Sequence, residues 1–141
     1  MRTKIIKIIL PTIFGILAVL GILSAFNLLV HNGDVFTSPD NGFFTLFVPI
    51  ATIIALTIQF TLALPFWKKF KSQKKVWSMT LFQFTTFLCI ISGLTFGLVF
   101  CETNFGLNEL IFVSLTGIVA FAVYWTVNLL ILKQIDKREP I

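Results

Sequence analysis

Four apolar stretches, each a little over twenty residues long, follow one another along the chain at about 8–30, 43–66, 77–100 and 110–132. The charged positions fall almost entirely between and outside them. Between Ile8 and Trp67 the only charged residues are Asp34 and Asp40, with His31 beside them. Between Val76 and Leu132 there are Glu102 and Glu109 and no Lys or Arg. A run of about 20 apolar residues at 1.5 Å rise crosses the hydrocarbon core of a bilayer. The pattern therefore predicts an all-α membrane protein, a single domain over 1–141 with four transmembrane helices. The first stretch follows the basic "MRTKIIK", but its apolar run is about twice a usual signal core and "GILSAFN" is a poor cleavage site, so it is expected to stay as a helix.

Composition sharpens the class. Of the 141 residues 57% are hydrophobic and only 12% charged, where a soluble domain carries about 25%. So few charges cannot cover a water-soluble monomer of this size. Cys89 and Cys101 form no CxxC pair and give no disulfide framework.

The charges also set an orientation. Arg2, Lys4 and Lys7 precede the first stretch; Lys68, Lys69, Lys71, Lys74 and Lys75 lie between the second and third; Lys133, Lys137 and Arg138 follow the fourth. Four crossings put both termini and the central loop on one side, and all eleven basic residues with them. The positive-inside rule makes that side cytoplasmic. Eleven basic residues less Asp136 and Glu139 leave +9 there, the other four acids give −4 opposite, and the two make up the net +5. The basic balance thus reports topology, and nucleic acid is not an expected partner. Trp67 and Trp77 flank the lysines at helix ends, where indole rings settle at headgroup depth. The five central lysines are candidate contacts for anionic lipid, at about 1 kcal/mol each near the surface.

Short connections of about nine to twelve residues predict antiparallel neighbours, hence an up-down-up-down bundle with both ends cytoplasmic. Pro11 is expected in the first turn of its helix, Pro65 near the end of the second, and Pro49 at a kink that frees the carbonyl of Thr45. A shift of 65 residues aligns "LFVPIATIIALTIQFT" with "IFVSLTGIVAFAVYWT", a likeness that chance explains in helices of this composition.

Two sets of positions within the helices are candidate sites. Cys89, Gly93, Gly97 and Cys101 recur every fourth residue, and Gly15, Ala18, Gly21 and Ala25 give the first helix a comparable small face. Small residues let helix backbones approach closely. Gly93, Gly97, Cys89, Gly15 and Gly21 are therefore expected at helix contacts, within the bundle or at a seam between two copies. The amides form the second set. Gln59, Gln83 and Asn128, with Tyr124 one turn away, fall in the cytoplasmic half and are expected to pair across helices; Asn27 lies towards the other side.

Reactive chemistry is sparse. His31, Asp34, Cys101, Glu102 and Glu109 are metal-competent but have no recognised ligand spacing, and no metal or cofactor is expected. No acid, Lys, Arg or His lies near a midplane, where ion-coupled transporters need one. No nucleophile–base arrangement or phosphate loop occurs. The expectation is a non-enzymatic accessory protein that packs against membrane lipids, other membrane proteins or itself. The alternative is a small channel or uncoupled carrier built as a homo-oligomer. The Lys- and Ile-rich composition places it in a bacterial cytoplasmic membrane.

Overall fold

The computed structural model describes residues 2–31, 48–100 and 106–138. Among them are α1 (Arg2–His31), α2 (Val48–Ile58), a π turn (Gln59–Ala63), α3 (Leu64–Gln73), α4 (Leu81–Phe100) and α5 (Leu107–Arg138). Four spans among the described residues are long and apolar enough to cross a membrane: Lys4–Ala25, Val48–Gln73, Leu81–Val99 and Leu110–Arg138. The helices run further than the apolar stretches predict. At 1.5 Å per residue the 30 residues of α1 reach about 45 Å, against a hydrocarbon core of about 30 Å.

The second span departs from expectation at Pro65. Instead of ending there, the helix continues to Gln73. Pro65 has no N–H, and its ring crowds the carbonyl four residues back. The chain widens into the π turn just before it, where the Leu64 N–H donates to the Gln59 carbonyl, and then resumes as α3 with Pro65 in its first turn. Lys74 ends α3 in the left-handed conformation, its N–H donating to the Phe70 carbonyl.

The connection from α3 to α4 is tighter than a loop of nine or more residues. Val76 and Met79 exchange both backbone hydrogen bonds at 3.0 Å, around Trp77 (φ 51°) and Ser78 (φ 63°). Positive φ at both central residues is the type I′ hairpin turn. Trp77 therefore stands exposed at the turn's tip and not at the end of a helix, because α4 starts only at Leu81. Under the turn, Phe70, Val76 and Phe84 form a buried cluster, with Phe66 stacked 4.8 Å from Phe84.

Pro11 lies inside α1, fully buried, because the helix already begins at Arg2. The kink expected at Pro49 turns on Thr45, outside the described residues.

Among the described residues the main packing is α4 on α5 and α1 on α5, with α2 resting on α1. Gly93 faces Ile118 while Gly97 faces Ser114, and Lys7 meets Asp136 while Gly15 meets Tyr124. In both pairs numbers rise on one helix as they fall on the other. The ends of α1, α3 and α5 that carry basic residues therefore come together as the basic end of the bundle.

Candidate functional site: a buried polar seam

The seam begins with the proline in α1. Pro11 cannot donate to the carbonyl of Lys7, four residues earlier, so that acceptor needs a partner from elsewhere. Gln59 supplies it: its Nε2 donates to the Lys7 carbonyl at 3.3 Å. The same amide accepts through Oε1 from Asn128 Nδ2 at 2.9 Å, and that nitrogen also lies 3.5 Å from the Tyr124 hydroxyl. Gln59 and Asn128 are fully buried. The Lys7 carbonyl can only accept, so it fixes which end of Gln59 faces it, and Gln59 in turn orients Asn128. The Tyr124 hydroxyl also meets the side chain of Thr12, whose own hydroxyl donates to the Ile8 carbonyl at 2.8 Å. Three spans are thus joined through side-chain amides.

About two turns towards the basic end lies an ionic centre. Asp136 receives the Lys7 ammonium at 2.6 Å on Oδ1. On Oδ2 it receives Lys71 at 3.0 Å and the Trp67 indole N–H at 2.8 Å. Lys7 is 8% exposed, whereas the side chain of Lys71 is 57% exposed, so one cation is enclosed and the other solvated. A buried charge must be paired, and Asp136 is the pairing group. Both oxygens of this carboxylate are engaged, by Lys7 of α1 and by Lys71 and Trp67 of α3, which leaves it a clasp and not a free acid or base.

Other expected positions fall elsewhere. Gln83 does not join Gln59 and Asn128. It is exposed, and its Oε1 accepts from the Thr80 N–H at 3.0 Å and from the Thr80 hydroxyl at 3.3 Å, while the Gln83 N–H donates to Thr80 Oγ1 at 3.4 Å. This is a capping box that starts α4, and the spacing Thr80-x-x-Gln83 carries its signal in the sequence. The Asn27 side chain lies outside those described. Lys68, Lys69, Lys74 and Lys75 are all exposed, with the Lys69 ammonium 6.0 Å above the Phe66 ring.

The small residues divide as well. A Cβ on Gly93 would come within 2.6 Å of the Ile118 nitrogen, and one on Gly97 would overlap the Ser114 side chain. Gly117 returns the contact, its Cβ position 3.2 Å from the Gly93 Cα. The GxxxG face is therefore used inside the chain, between α4 and α5. Gly15 admits the Tyr124 ring, whose carbons would stand 2.7 Å from an added Cβ. Gly21 makes no contact within the chain among the described residues: it is exposed, and a Cβ there meets nothing within 4 Å. Cys89 is buried beside a groove between α4 and α5.

Sequence reading missed Lys7, Asp136, Thr12 and Ser114. A lysine inside "IIKIIL" and an acid among the bases of the last helix were the available signals. Among the described residues no three His, Cys, Asp or Glu side chains are grouped to hold a metal ion. Asp34, Cys101 and Glu102 lie outside those residues, as do the side chains of His31 and Glu109. The seam binds helices to each other, and it offers no nucleophile next to a base. Comparison with protein-family models, with curated proteins and with solved structures finds no match.

Proposed function

We propose that the chain is a non-enzymatic accessory protein of a cytoplasmic membrane, an up-down-up-down bundle with its basic end inside. It works by packing a helix face against a partner membrane protein. The observation that carries this reading is the position of α2. Among the described residues it rests mainly on α1, has no buried residue, and turns Ile50, Ile53, Ile54 and Ile58 outward. Its hydroxyls are no obstacle to an apolar contact, since Thr52 and Thr57 donate to the Val48 and Ile53 carbonyls of their own helix. Gln59, Lys7 and Asp136 are engaged in joining helices to each other, which supports a binding role over a catalytic one. The side assignment rests on the eleven basic residues at one end.

A photocrosslinking residue at Ile54, compared with one at the exposed Leu115 of α5, tests the reading. The expected result is one discrete adduct with another membrane protein from Ile54, co-purifying in mild detergent and lost in Ile50→Trp. Crosslinks only between copies of this chain, in a homo-oligomer, would favour the channel or carrier instead.

A further inference from the structure

A groove of about 400 Å³ runs along the outside of α4 and α5, on a different face of α5 from Asn128. It extends along α5 from Ile118 to Lys133, a rise of about 22 Å at 1.5 Å per residue. That matches one bilayer leaflet with its headgroup layer, about half of 40–45 Å. Its three threonines offer no free donor. Thr85 donates to the Leu81 carbonyl at 2.9 Å, Thr86 to that of Phe82 at 2.9 Å, and Thr126 to that of Ala122 at 2.7 Å. The rest of the lining is mainly apolar, with the Trp125 ring among it. At the basic end the wall is Trp67, whose N–H is already given to Asp136, so its ring adds apolar surface.

The one charge in the lining is Lys133, at that same end. It is exposed and has no ion pair among the described residues, because the nearby carboxylate of Asp136 is taken by Lys7 and Lys71. A channel of hydrocarbon character, one leaflet long, with a single unpaired cation at headgroup level, is complementary to one kind of molecule. We propose that the groove holds an acyl chain of an anionic phospholipid, with the phosphate at Lys133. A polar solute would find few hydrogen-bond donors along the walls, where the threonine hydroxyls are spent within their own helices, and a zwitterionic lipid would bring its own cation to the lysine. The proposal requires only that the chain lies in a bilayer. It does not depend on a partner at α2.

Tryptophan quenching by brominated phospholipids reads the site, because Trp67 and Trp125 line it and Trp77 stands outside. The Trp77→Phe protein is reconstituted in phosphatidylcholine vesicles containing increasing brominated phosphatidylglycerol, or brominated phosphatidylcholine as the control. The expected result is quenching by the anionic lipid at about fivefold lower mole fraction, the ratio one lysine contributes at a membrane surface. Lys133→Gln should abolish that preference, and Lys68→Gln should keep it. Equal quenching by the two lipids would overturn the proposal. So would a preference that survives Lys133→Gln, or disulfide formation between two copies carrying Thr126→Cys, which would put a second chain in the groove. Loss of the crosslink at Ile54 with the lipid preference intact would remove the partner reading alone.

Discussion

The side-chain amide of Gln59 donates to the main-chain carbonyl of Lys7, the acceptor that Pro11 leaves without its helical donor. One helix carries the defect and another repairs it, at a point where lipid could not. In hydrocarbon an unsatisfied carbonyl has no water to turn to, so a buried proline in one span and a buried glutamine in another become a single structural unit.

That unit makes a quantitative prediction. Gln59→Leu removes the donor to Lys7 and the acceptor for Asn128, and should lower stability by about 1–3 kcal/mol. Pro11→Ala restores a backbone N–H for the Lys7 carbonyl, so the glutamine should matter less in its presence. A double-mutant cycle on thermal midpoints in detergent should give a coupling of about 0.5 kcal/mol or more. Additive effects would mean that the two residues act independently.

Asp136 should behave as the partner of an enclosed cation. Asp136→Leu leaves Lys7 buried without its counter-charge and should cost about 3–5 kcal/mol. Adding Lys7→Met removes the stranded charge and should recover much of that loss. A double variant no more stable than Asp136→Leu would show that the carboxylate serves Lys71 and Trp67 instead.

Glycine substitutions should separate the contacts in α1 and α4. Gly97→Leu drives a side chain into Ser114 and should destabilise the monomeric bundle, since the contact lies within one chain. Gly21→Leu meets open space and should change the midpoint little. A Gly97→Leu protein of unaltered stability but altered oligomer size would place the glycine face between copies.

Much of this architecture was legible in the sequence, for physical reasons that differ by feature. The four helices are visible because hydrocarbon allows few charges, and the interruptions are marked by lysines in the central connection and by Asp and Glu in the other two. Helix ends were read less well. Pro65 resembles a stop signal by local rules, yet a π turn at Gln59–Ala63 absorbs its missing donor and the helix continues. The amides Gln59 and Asn128 stand out as polar residues in apolar runs and bond to each other, but the other partner of Gln59 is a backbone carbonyl, and no residue type identifies that. Gln83 looked equivalent to them and is not, because Thr80 three residues earlier claims it for a cap. Asp136 was counted only as charge; its pairing with Lys7 links positions 129 apart, a separation that no local pattern spans.

The cap itself is testable. Thr80→Ala should cost about 1 kcal/mol by removing the start of α4, and Gln83→Leu should cost no more than that. Both should leave the Gln59–Pro11 coupling unchanged. A change in that coupling with Gln83→Leu would return Gln83 to the seam.

Which side of the membrane holds the basic end decides the most, since it sets which leaflet meets Lys133 and the lysines beside the turn, and which compartment meets Trp77. Single cysteines at Ser38 and Ser72, in a background without Cys89 and Cys101, are treated in intact cells with a membrane-impermeant maleimide. The expected result is labelling at Ser38 from outside and labelling at Ser72 only after the membrane is opened. Labelling of Ser72 in sealed cells with Ser38 protected would contradict the topology.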